Sequence, residues 1–349
     1  MKIQENRKNG RNSVGLSALF LPKHFLITLL VLIILLLVTI ILSIALGSRQ
    51  VTGNEIIDAL FHPDISEYGV NVIRKRIPRT LFGLLCGAGL GVSGALMQAV
   101  TRNPIADPSI LGVNTGASVF VVCGIAFFNI SAPSEYIVLA LLGSALTSVL
   151  VYGIGSLGKG GTTPMKLVLA GAATSAALSC IISAVMIPRS RVIDEFRFWQ
   201  VGSIGGGTWK YVYLLAPFMI IGVIAAMTLA PALNAMALGD ESATSLGVRT
   251  GLVRICAAAI GVILCGSATA LAGPIGFIGL LAPHLVRLFV GSDLRYNIPL
   301  SALTGAVILT ISDVIGRLLS YPGELEVGVV TAFVGAPILI YTAMRAKVS

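Results

Sequence analysis

Charge is what this chain lacks most. Of its 349 residues only 11% are Asp, Glu, Lys or Arg, against about 25% in an average soluble domain. Too few charges remain to clothe a water-facing surface, and a soluble domain of ordinary size is excluded. Histidine is nearly missing too: His24, His62 and His284 lie far apart, and no HExxH or other metal-ligand spacing occurs. There is no GxSxG elbow, so a serine hydrolase has no foothold, and no GxxxxGK[ST] loop, so the chain has no Walker motif for ATP. The five cysteines, Cys86, Cys123, Cys180, Cys256 and Cys265, are odd in number, contain no CxxC and sit in apolar runs, where they read as free, buried small hydrophobes. Aromatics make up 7% without the pattern of a base-stacking surface, so the formal charge of +9 points to membrane flanks rather than nucleic acid.

What is present is apolar. With 56% hydrophobic residues and a mean hydropathy of +0.93, the chain reads as an all-α polytopic membrane protein. Apolar windows separated by polar or Gly/Pro breaks give about ten spans, near 25–46, 80–100, 110–128, 135–156, 165–187, 211–231, 251–271, 274–291, 297–318 and 326–344. The eighth is short and holds Pro283 and His284, while Phe196 to Ile204 is too short to span. The first run follows a polar, basic arm, residues 1–24, and is too long for a signal-peptide core, so it reads as a retained helix opening a transmembrane domain over 25–349. With the N-terminus inside, ten spans return the C-terminus inside, and 14 of the 24 basic residues fall on the inner side. That leaves the outer face unusually basic, which an acidic outside partner would explain.

Four local patterns stand out. Arg76-Ile77-Pro78-Arg79 precedes a glycine-rich helix in which Gly83, Gly87 and Gly91 recur every four residues on one face, suited to close helix packing or to a smooth pathway wall. The turn Arg102 to Pro108 carries two prolines, and Asp107 is placed to cap the next helix. Between the sixth and seventh spans, Ala237 to Val248 reads as a connecting loop or as a short helix started by Asp240 and Glu241 and ended by Gly247, with Ala243 and Leu246 on one face as a peg for a partner. Asp313, the main ionisable residue within the spans, stands four residues before Arg317, either as a local ion pair or as a device that aims Arg317 outward. A gradient-driven secondary transporter would carry more ionisable residues in mid-membrane, and a membrane enzyme would gather His, Asp or Glu at one face. Neither pattern occurs in the sequence.

These blocks resemble the FecCD family of ABC importer permeases, which includes the vitamin B12 permease and iron–siderophore permeases. The matching residues are Arg76 to Arg79, Ser93 to Gln98, Arg102 to Pro108 with Leu111-Gly112-Val113, Leu238-Gly239 through Leu246-Gly247-Val248, Gly276 to Leu280 with Pro283 to Arg287, and Gly323-Glu324-Leu325 with Gly328 to Thr331 and Gly335 to Pro337, over about residues 50 to 345. The resemblance implies ten transmembrane helices in a vitamin-B12-permease-like fold and a second permease subunit, identical or different. It also implies two cytoplasmic ATPase subunits and an extracytoplasmic solute-binding protein. It implies no enzymatic activity, cofactor or resident metal in this chain, and a place in the bacterial plasma membrane. It assigns docking of the binding protein to Arg76, Arg79 and Arg317, and ATPase coupling to Leu238, Gly239, Ala243, Leu246 and Gly247. The implied cargo is an iron–siderophore complex, with haem or a corrinoid as the alternative.

Overall fold

The computed structural model describes residues 23–345 except 63, 66, 131, 159–162 and 322, so nearly all of the basic arm lies outside the described residues. Among the described residues the regular elements are all helical. The α-helices run α1 (Lys23–Ala45), α2 (Gly53–Phe61), α3 (Tyr68–Thr101), α4 (Val113–Phe128), α5 (Pro133–Ser156), α6 (Pro164–Met186), α7 (Ser190–Val201), α8 (Trp209–Ala237), α9 (Asp240–Ser245), α10 (Thr250–Ala272), α11 (Ile278–Val290), α12 (Leu294–Leu319) and α13 (Val327–Arg345). Seven of them are long and apolar enough to cross a bilayer: α1, α3, α5, α6, α8, α10 and α12. The other three expected spans are the shorter apolar helices α4, α11 and α13. The ten apolar windows of the sequence therefore map one-to-one onto ten helices, in a multi-pass all-α fold.

The helix α3 is the axis of the molecule. It has 34 residues, about 51 Å at 1.5 Å per residue, and it touches α1, α2, α6, α8, α10, α11 and α12. Within its most apolar stretch it is 78% buried, whereas α1 is only 6% buried and turns its leucines and isoleucines outward. A polytopic bundle needs one helix that can be surrounded, and small residues supply it. A Cβ on Gly87 would strike the backbone of Gly305 and Ala306, and one on Gly91 would strike the Ser301 carbonyl, so α3 and α12 meet backbone to backbone. A Cβ on Gly83 would meet Ile204 and lie near Thr310. The glycine face offered by the sequence as packing or pathway wall packs against α12 and Ile204.

The expected start of this span, near residue 80, is moved toward the N-terminus by twelve residues. The helix runs through Arg74, Lys75, Arg76, Pro78 and Arg79, the residues that made the segment look like a flank. Its C-terminal end closes on Arg102, whose φ of +49° is left-handed, and the chain then turns through Asn103 to Asp107. As expected, Asp107 caps the following turn, accepting from the Ser109 amide at 2.9 Å.

A second packing centre lies beside the axis. Ala117, Val121 and Val122 of α4, Ile137 of α5, Ile182 of α6 and Phe196 of α7 bury against one another and against Ala270 of α10. The piece too short to span is thus largely α7, a helix laid on this second core, with Phe196 and Ile204 fully buried. The cysteines divide: Cys86 and Cys265 are buried as expected, Cys123 and Cys256 are half-buried, and Cys180 is exposed on α6. A thiol is apolar enough to face lipid as readily as core.

Candidate functional site

The structure brings Arg76, Arg79 and Arg317 together at one end of the bundle, although they are separated by up to 241 positions. All three line a recess of about 1000 Å³ between the first turns of α3, the last turns of α12, the start of α8 and the loop after α12, together with Lys75, Trp209 and Glu324. Their guanidiniums do different work.

Two of them close the end of α1. The last turn of an α-helix leaves carbonyls without helical partners, and these carry the negative end of the helix dipole. Arg76 donates from Nη1 to the carbonyls of Ile44 and Ala45 at 3.0 and 3.1 Å, and from Nη2 to the Arg49 carbonyl at 2.7 Å. Arg317 donates from Nη1 to the carbonyls of Ser43 and Leu46 at 3.0 and 3.2 Å, and from Nη2 to the Ser43 hydroxyl at 2.9 Å. Arg76 is 6% exposed and Arg317 2%.

Arg79 is held by carboxylates. Its Nε and Nη2 donate to the two oxygens of Asp313 at 3.2 and 2.7 Å, the paired geometry that suits a planar guanidinium, and its Nη1 reaches Glu324 at 2.7 Å. Asp313 also pairs with Arg317 at 3.0 Å, so one buried carboxylate bridges α3 and α12. The i,i+4 pair seen in the sequence exists, but it is half of a triad. Glu324 accepts from the Ser48 hydroxyl at 3.1 Å as well. Partial burial pushes the Glu324 carboxyl up, but the hydrogen bond and charge of Arg79, with Ser48 and Arg317, outweigh it, and the group sits below the ordinary glutamate range.

At the other end of α3 lies α9, the short helix suggested by the sequence. Gly239 at φ +114° and Gly247 at φ +83° flank it, backbone conformations that L side chains rarely adopt. Leu238 and Leu246 are 71% and 66% exposed, whereas Ala243 is fully buried against the chain's own helices. The expected shared face of Ala243 and Leu246 is therefore split: Ala243 seats the helix and the leucines project. Asp240 holds it as well. Its carboxylate accepts from Arg102, at the end of α3, and from Nη2 of Arg254 on α10 at 3.1 and 3.2 Å. Burial raises the Asp240 carboxyl, but the two guanidiniums outweigh it and leave it below the ordinary aspartate value of 3.8. Nearby, Arg287 donates to the Gln98 side chain at 2.7 Å, tying α11 to the same end of α3.

This geometry describes a helical bundle with a basic recess at one end and a clasped peg at the other, and comparison with known proteins places it. The chain matches the FecCD transport family over residues 35–345. It belongs to that family. Its relatives include the ferric enterobactin transport system permease protein FepD of Escherichia coli, 42% identical over 307 residues covering 87% of this chain and 91% of FepD. The Fe(3+)-citrate import system permease protein YfmD of Bacillus subtilis is 40% identical over 306 residues, 88% of this chain and 91% of YfmD. A solved chain of a metal-chelate type ABC transporter in an inward-facing conformation superposes with a TM-score of 0.79 at 25% identity, over 92% of this chain and 99% of that one. The FecCD blocks quoted from the sequence fall at both ends of α3, at α9, at α11 and around the loop holding Glu324. The sequence supplied no sign that Asp313 bridges two arginines, that Glu324 touches one of them, or that Asp240 pins α9.

Proposed function

We propose that this chain is the membrane permease of an ATP-driven importer that carries iron–siderophore complexes into the cytoplasm. The observation that supports this most is the identity, at 40% and above over nearly nine-tenths of the chain, to permeases named for ferric enterobactin and ferric citrate. In this reading the chain pairs with a second permease, and the pathway forms between the two. Two ATPase subunits sit inside, and an acidic solute-binding protein docks outside. The chain is a transporter subunit without catalytic residues of its own, and ATP hydrolysis belongs to its partners. It lies in the bacterial plasma membrane with both termini in the cytoplasm, which puts the arginine recess outside and α9 inside.

Each end then has a task. The recess containing Arg76, Arg79 and Arg317 faces the binding protein, and opposite charge steers the encounter. Leu238, Gly239, Ala243, Leu246 and Gly247 make the coupling element. The exposed leucines enter a groove of the ATPase, the glycines give the helix its swivels, and Ala243 keeps it seated. ATP binding draws the ATPases together, α9 shifts, and the bundle passes from outward- to inward-open.

The decisive experiment is uptake into proteoliposomes by the complex co-purified through a tag on this chain. ⁵⁵Fe-loaded siderophore should accumulate only with ATP inside the ATPase-accessible compartment, and vanadate should stop it. Uptake by this chain alone, or uptake abolished by an uncoupler at constant ATP, would overturn the reading. Haem and a corrinoid, offered in parallel, test the cargo assignment.

A further inference from the structure

The three outer arginines are not equivalent, and the difference assigns the docking chemistry more narrowly than the permease reading on which it rests. Arg76 and Arg317 direct their hydrogen bonds chiefly to the end of α1. An incoming carboxylate would have to uncap that helix to reach them. Arg79 is different. Its pairing with Asp313 is closed off, with the Asp313 side chain 3% exposed, but its pairing with Glu324 is open, with the glutamate side chain 38% exposed at the rim. A carboxylate arriving from outside meets Glu324 first.

We propose that Glu324 holds, on this chain's own Arg79, the place that an acidic side chain of the docking protein takes, so that docking is an exchange of one carboxylate for another. In this exchange Arg76 and Arg317, which cap α1, stand in the recess wall beside Arg79. Charge balance favours the trade. Arg76, Arg79, Arg317 and Lys75 face the recess against Glu324 at its rim and Asp313 beneath, so the wall stays cationic while Glu324 is bound and becomes more so when it leaves. The partner is thus an acidic protein surface with at least one carboxylate free to enter the recess. The exchange has a consequence within the chain. Glu324 ties the loop after α12 to Ser48, in the loop after α1, and to Arg79 on α3. When a partner displaces it, that three-way tie at the outer mouth is released at the moment of docking.

The two tryptophans allow the exchange to be read directly, because Trp209 lines this recess and Trp199 lines another. In full-length Trp199→Phe protein in nanodiscs, Trp209 fluorescence is followed while poly-L-glutamate is titrated as the acidic probe. Removing the competing carboxylate with Glu324→Gln should tighten apparent binding about fivefold, the scale of a partly exposed ion pair. Arg79→Lys, which keeps the charge and loses the fork, should weaken it several-fold, while Glu326→Gln, which removes a carboxylate outside the recess lining, should leave probe affinity within about twofold. Equal or weaker binding by Glu324→Gln, or a gain in Glu326→Gln as large as in Glu324→Gln, overturns the proposal. The titration needs no ATP and no cargo, so failure of the permease reading would appear separately, as absent ATP-dependent uptake.

Discussion

The two ends of α3 carry the same ionic device in opposite settings. At the recess end Asp313 lies between Arg79 and Arg317; the side-chain exposure of Asp313 is 3%, of Arg79 13% and of Arg317 2%. At the α9 end Asp240 lies between Arg102 and Arg254, with exposures of 47%, 32% and 5%. A carboxylate between two guanidiniums in a dry site has no water to replace a lost partner, so breaking it is costly, whereas the same contact in water exchanges cheaply. The triad at the recess therefore fixes two long helices, α3 and α12, to each other. The other fastens the six-residue helix α9 between two glycines. Solvent, and not the list of residues, separates a strut from a clasp.

Breaking the dry triad should produce the largest effect. Asp313→Ala strands Arg79 and Arg317 beside each other, with an expected loss of about 3–5 kcal/mol, seen as a fall in the unfolding temperature of the detergent-solubilised chain. An unchanged temperature would erase the contrast between the ends. Next comes the packing that lets α3 and α12 approach. Gly87→Val should cost a few kcal/mol because the new side chain meets backbone rather than a yielding side chain, and Gly53→Val, in open space, is the control. The α9 end should answer in function rather than stability. Asp240→Asn should leave the unfolding temperature within a degree or two while the ratio of cargo imported to ATP hydrolysed falls roughly tenfold. A large stability loss would make that end a strut as well. The smallest effect is with acid. Because the folded Asp240 carboxyl sits below 3.8, its contribution is fully present above that value and is lost as pH falls through the lowered one. Hydrogen exchange at the α9 amides should therefore stay slow to below pH 3.8 and then quicken, and in Asp240→Asn it should lack that step.

The ten spans were legible because a bilayer demands long apolar runs and the sequence keeps them uninterrupted. The glycine spacing on α3 likewise announced close packing, since small residues every four positions can share only one face. Where charge interrupted an apolar run, the reading stopped short: Arg76, Pro78 and Arg79 made the start of α3 look like a loop, yet the helix continues because the guanidiniums find carbonyls and carboxylates on neighbouring elements. Gly323-Glu324-Leu325 was visible as a block without a role. Arg79 and Asp313 are 234 positions apart and Arg79 and Glu324 are 245, and no local spacing links such pairs. The side of α9 that Ala243 faces was equally hidden, since a single turn has too few residues to declare an apolar face.

The close approach of α3 to α12 at Gly87 and Gly91 lies near the midpoint of a rod of 34 residues. A stiff beam pinned near its centre behaves as a seesaw: a lean of about 5° carries each tip roughly 2 Å, in opposite directions. Arg102 rides on one tip, and Arg79 sits on the other arm between the pivot and its tip, so a shift at the α9 end and a smaller, opposite shift at the arginine recess are two readings of a single angle.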